Sequence, residues 1–292
     1  MSMEKNTQTP LATEDTYTGM IYWIAVPDGY KINKQNLREH LNDRIFTEDI
    51  TESVEEGTEI PDVFKQDGRI VQRTSVENAK AVSTPYGEVI VADIQMDDRG
   101  TVTYRGDKIL TMDAADARLL VFDTDGVYYL IVVSRRSVAQ AVTQMLRRQY
   151  SQLGPSISDT RLDHRSLKQI QEDLDAGLMD TIISDFPQEE LTNIEIRGRG
   201  FENNPDYERH QSKGQLQNHM FQTEKLVPGK EKTIRIANDG LVRIYSKARL
   251  DTYLRLLTEF VLPNIHRDRK GESSLKTFEN PDGNSIFERE RD

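Results

Sequence analysis

Hydrophobic positions in this chain follow two periods. Between Arg69 and Val133, β-branched, aromatic and aliphatic residues crowd into stretches at 69–75, 88–96, 101–111, 117–123 and 127–133. Turn chemistry at Pro85-Tyr86-Gly87, Arg99-Gly100 and Gly106-Asp107 separates them. Connections this short cannot make parallel crossovers, so the region reads as an antiparallel meander. A strand over 17–26 precedes it, ended by Pro27-Asp28-Gly29. Helical spacing surrounds these strands. Leu37 and Leu41 stand at i and i+4 in a short helix over 33–43. Val138, Val142, Met145 and Gln149 form one track over 135–149, with Ser137 and Gln140 placed for a capping box. Leu167, Ile170 and Leu174 predict a helix over 166–176, followed by strands at 179–184, 191–197, 218–226, 232–237 and 241–245. A final helix carries the track Leu250, Leu254, Leu257 and Val261, and Pro263 ends it. The polar stretch 201–215 reads as a functional or mobile loop.

One pattern occurs twice. Residues 119–150 and 233–262 each run strand, Asp-Gly turn (Asp125-Gly126, Asp239-Gly240), strand, Ser-basic pair, amphipathic helix. The expectation is therefore an α+β protein of two related halves, each an antiparallel sheet with a packed amphipathic helix. Gly154-Pro155 places the boundary, giving domains over 17–153 and 154–265. The polar segment 1–16 is expected to be disordered and 266–292 to be a charged flexible tail.

Composition narrows the chemistry. The 292 residues include no cysteine, which removes thiolate nucleophiles, disulfides, iron–sulfur clusters and cysteine zinc sites. The five histidines are scattered without metal-ligand spacing, so neither a metal nor a cofactor is implied. Apolar runs fall short of the ~20 residues that a membrane helix needs, and Met1–Pro10 lacks an apolar signal core. A cytoplasmic protein without membrane contact is the expectation. The net charge of −11 is unevenly placed: residues 1–133 hold 13 basic against 24 acidic side chains, and residues 134–292 hold 25 of each. Contact with a polyanion would thus fall to local patches in the second half.

The string LLVFDTDGV at 119–127 resembles the first motif of the haloacid dehalogenase superfamily, an apolar strand ending in Asp-x-Asp-Gly. That resemblance implies Asp123 as a nucleophile forming an aspartyl-phosphate, Asp125 as general acid/base, and Mg2+ bridging Asp123 to the phosphate. It covers about nine residues. Ser134 follows Val127 by only seven positions, too few for the crossover that a parallel sheet demands. Asp-Gly between two apolar runs is also a strong hairpin signal, because a type I′ turn needs positive φ at both central residues.

Basic residues supply the other candidate chemistry. Residues 134–170 hold seven Lys/Arg against Asp159 and Asp163. Arg135 and Arg136 stand at a predicted helix start, where cations oppose the macrodipole and a bound anion offsets that cost. Lys247 and Arg249 occupy the matching place in the second copy, and Arg197 and Arg199 flank Gly198. These six residues are the expected contacts of a non-catalytic intracellular binding protein with nucleic acid. The alternative is a protein–protein interaction module of a larger complex, with the acidic segment 48–62, read as a solvated loop, meeting the partner.

Overall fold

The computed structural model describes residues 14–26, 29–150, 156–184, 193–199, 201, 204–211, 213–265 and 286–289. The segments 1–13, 151–155 and 266–285, on which the expected disordered start, domain boundary and most of the tail fall, lie outside the described residues. In chain order the first elements are β1 (Asp15–Ile24), β2 (Tyr30–Ile32), α1 (Lys34–Leu41), β3 (Arg44–Asp49), β4 (Lys65–Gln66) and β5 (Arg69–Thr84). Next come β6 (Gly87–Tyr104), β7 (Asp107–Thr124), β8 (Val127–Val133), α2 (Arg136–Gln149), β9 (Ile157–Asp159) and α3 (His164–Asp173). The last are β10 (Gly177–Ser184), β11 (Asn193–Arg197), α4 (Pro205–Gln211), β12 (Gln215–Thr223), β13 (Lys232–Ala237), β14 (Leu241–Ala248), α5 (Leu250–Arg255) and β15 (Phe287–Arg289). The class is α+β, and the strand ladders among the described residues are antiparallel. The chain divides into two compact units, one made of 1–22, 84–87 and 159–270, the other of 23–83, 88–158 and 271–292.

The unit containing 159–270 has strand order β11-β10-β12-β13-β14-β1. Period-two alternation sorts its side chains: Ile234, Ile236, Val242 and Ile244 are buried on one face, while Thr233, Arg235, Arg243 and Tyr245 between them are not. The buried face meets the helices. Leu167 and Ile170 of α3, with Leu174 just after it, and Leu250, Tyr253 and Leu254 of α5 are all buried, and the Tyr253 and Tyr17 rings stack with centroids 5.0 Å apart. Each such aliphatic side chain stabilises the fold by roughly 1.5–3 kcal/mol. After Arg255 the chain continues as a π-helical turn over Leu256–Val261, which still buries Leu257 and Val261 of the expected track. The stretch 201–215 contains α4 rather than a plain loop.

The other unit runs β8-β7-β6-β5-β3, with β4 on β5 and a separate β15-β2 pair. Here the expected short strands merge. β6 and β7 hold an unbroken register from Ile90–Val121 to Tyr104–Asp107, and the turn is Arg105-Gly106, both at positive φ. Arg99 and Gly100, expected in a turn, lie mid-strand opposite Met112 and Thr111. Polar composition was mistaken for a turn because both faces of this distal arm are largely exposed. The segment 48–62 is largely exposed, as a solvated loop would be, but it is docked on the β6–β7 arm. Glu59 pairs with the arm through N–H to the Lys108 carbonyl at 2.7 Å and accepts from the Leu110 N–H at 2.9 Å. Val54, Ile60 and Phe64 pack on a small core of Ile50, Ile70 and Leu110. The tail is structured where it is described, since β15 pairs with β2 and Ile286 and Phe287 are buried.

The relation between halves reduces to one local unit, a hairpin followed by a helix. Asp125 and Gly126 both have positive φ (51° and 73°), as a type I′ turn requires, whereas at the second turn only Gly240 does. β7 has 18 residues against 6 in β13, and α2 has 14 against 6 in α5. The remaining strands follow different orders in the two units, so the expectation of two related halves is not met beyond this unit.

Candidate functional site

The polar face of β13 and β14 sets two arginines on directly paired positions of one sheet. Strand register aligns Arg197 of β11, Asp180 of β10, Met220 of β12, Arg235 of β13, Arg243 of β14 and Thr18 of β1 in one row. Arg235 and Arg243 are direct cross-strand partners, a like-charge pairing that is destabilising by itself. Asp180, 4% exposed, is the acid that faces them. Its Oδ2 lies 3.5 Å from Arg235 Nη2 and 3.4 Å from Arg197 Nε, while its Oδ1 is buried without a hydrogen-bond partner among the described residues. Burial raises the Asp180 carboxyl above the usual range, opposed by Arg235. Arg235 is 27% exposed and its Nε–H is also buried and unpartnered there. Arg243 makes no ion pair among the described residues; its guanidinium lies over the Tyr245 ring, 4.3 Å from the centroid.

The six expected contacts divide between the two units. Arg135 and Arg136 belong to one unit, and Arg197, Arg199, Lys247 and Arg249 to the other. Arg135 caps α2 with its backbone but no side-chain cap bond, so the expected Ser137–Gln140 capping box does not form, and its guanidinium is ion-paired with Asp98. Arg136 is exposed at the first helical position. Arg249 has the corresponding cap position at α5 and pairs with Asp251 at 3.3 Å; Lys247 is exposed. Arg197 binds Glu195 at 2.6 Å as well as Asp180, and exposed Arg199 lies two residues past the end of β11. Arg235, Arg243 and Tyr245 were missed. The available signal was their alternation with Ile234, Ile236, Val242 and Ile244.

Two further places bear on function. β7 and β8 are antiparallel neighbours from Arg118–Val133 to Thr124–Val127, so Asp123 and Asp125 belong to a hairpin and not to the parallel-sheet strand end that the dehalogenase resemblance implies. Asp123 ion-pairs with Lys34 at 2.7 Å, and Asp125 is exposed in the turn. Among the described residues no group of three or more His, Asp or Glu is disposed to hold a metal ion, and no helix is long and apolar enough to cross a membrane. In the same unit a cleft of about 550 Å3 opens between α2 and strands β3, β5 and β6. Glu48, Asp49, Glu52 and Asp98 line it together with Arg99 and Arg148, and Arg148 is paired with Glu48. No protein-family model matches the chain, and no curated protein shows detectable similarity to it.

Proposed function

We propose that this chain is a non-catalytic nucleic-acid-binding protein that contacts the phosphate backbone through the polar face of β13 and β14. The observation that carries this reading is the direct pairing of Arg235 with Arg243, of which Arg235 is ion-paired with Asp180 while Arg243 has no ion pair among the described residues. Like charges on directly paired cross-strand positions repel, and a phosphate bound by both side chains would convert that cost into two charge-assisted hydrogen bonds. Arg197 and Arg199 extend the basic surface toward the edge strand. The helix starts contribute less in this reading, because Arg135 and Arg249 are already neutralised by Asp98 and Asp251. The test is fluorescence anisotropy with a labelled oligonucleotide at two salt concentrations. Binding is expected to weaken steeply with salt, and replacing both Arg235 and Arg243 by Gln is expected to flatten the salt slope by about two charges. Arg135→Glu with Arg136→Glu is expected to change it less. Binding that ignores the Arg235/Arg243 substitutions would contradict the assignment.

The second reading is a protein-interaction module, favoured by the acidic cleft beneath α2. Of its four carboxylates Glu48, Asp49 and Asp98 are ion-paired with Arg148, Arg69 and Arg135, so a basic peptide segment would meet Glu52 first and exchange with those pairs. A lysine- and arginine-rich peptide titrated against the protein separates the two readings: capture lost in Glu52→Gln with Asp98→Asn supports the module.

A further inference from the structure

We infer that the ligand of the β13–β14 face is a single-stranded nucleic acid, with the Arg243–Tyr245 stack as its base platform; this rests on the nucleic-acid reading of that face. Arg243 is exposed and Tyr245 half-buried beneath it, so the guanidinium is held over the ring with its outer side toward solvent. A guanidinium plane fixed in this way is a stacking surface for an unpaired base, and its ordering cost has already been met in the unliganded protein. Arg235, one strand away and with 27% of its side chain exposed, supplies the backbone contact. Thr233 and Gln222 stand beside it on the same face, joined by a hydrogen bond at 3.4 Å, as further polar partners.

The width of the sheet argues against the duplex alternative. A major groove about 12 Å wide admits a helix or a two-stranded ribbon. β13 and β14 are interior strands, flanked by β12 and β1. Four strands at about 4.8 Å spacing already span about 14 Å before side chains are added. A face this wide does not fit an undeformed major groove, and base faces within a duplex are hidden in its stack. A single strand laid across the sheet presents both phosphates and open base faces.

The experiment compares labelled 20-nucleotide single-stranded DNA, single-stranded RNA and a DNA duplex of the same length, each at the same two salt concentrations, against wild type, Tyr245→Ala, Tyr245→Phe and Arg243→Gln. At least one single strand is expected to bind about tenfold or more tightly than the duplex, with Tyr245→Ala weakening it about tenfold and Tyr245→Phe retaining it. Tyr245→Ala is expected to leave the salt slope unchanged, whereas Arg243→Gln reduces it. Duplex binding equal to or tighter than single-strand binding, or indifference to Tyr245→Ala, overturns the platform while leaving the nucleic-acid reading in place. No binding of any probe at low salt overturns both.

Discussion

Gly240 shows how one residue fixes a turn that composition alone makes look ordinary. Its φ is +84°, its carbonyl accepts from the Ile21 N–H at 3.0 Å, and an added Cβ would lie 2.2 Å from Thr160 Oγ1 and 3.1 Å from the Ile21 carbonyl oxygen. The Thr160 hydroxyl cannot easily retreat, since it donates to that same carbonyl at 2.6 Å. At Gly126, by contrast, an added Cβ meets nothing and only the backbone cost of about 1–2 kcal/mol applies. Gly240→Ala is thus expected to lower stability by clearly more than Gly126→Ala, a difference that paired urea melts measure directly. His219 offers a second test. It is fully buried behind the Tyr207 hydroxyl, 3.4 Å from Nε2, and burial, reinforced by His164, pushes its imidazole down to about 3. Because the unfolded chain takes up this proton near pH 6.5 and the folded chain does not until about pH 3, stability falls as the pH drops through that window. The contribution is ~1.4 kcal/mol per pH unit. His219→Phe is expected to flatten the acid limb of a stability-against-pH curve; an unchanged limb would contradict the burial argument.

At the scale of elements, the antiparallel character and most helices were legible because their apolar residues recur at periods of 2 and 3.6. Val138, Val142 and Met145 of α2 are all buried, as their spacing requires. Strand length was not legible in the same way. Beyond Met96 the arm formed by β6 and β7 loses its buried face, so its sequence looks like a string of turns even though backbone pairing continues to Tyr104. The segment 48–62 misled for a related reason: its few apolar residues, Ile50, Val54 and Ile60, show no period, yet they cover Leu110 and Met112 of the arm. Leu110→Ala is expected to cost about 2–3 kcal/mol locally. Its signature is faster amide hydrogen exchange over 50–64 with little change in α3 or α5. Uniform loss of protection across the chain would show instead that the strap is coupled to the whole fold.

For the whole molecule, net charge proved a poor guide to local chemistry. The chain carries −11, yet the β13–β14 face places two arginines opposite each other, and only Arg235 of the two is ion-paired among the described residues, with Asp180. Sequence reading found the basic residues at helix starts, where charge stands out linearly. It passed over Arg235 and Arg243 because their adjacency arises from register across a hairpin rather than from spacing along the chain. Many of the linear candidates answer to carboxylates of their own unit, as Arg135 does to Asp98 and Arg197 to Glu195. The most direct measurement of the central claim follows the arginine Nε–H resonances by NMR while a single-stranded oligonucleotide is added. Arg235 and Arg243 are predicted to shift together and saturate at one equivalent, with Arg135 and Arg249 nearly unmoved. Shifts confined to Arg135, Arg136 or Arg249, with Arg235 and Arg243 unchanged, would contradict the account.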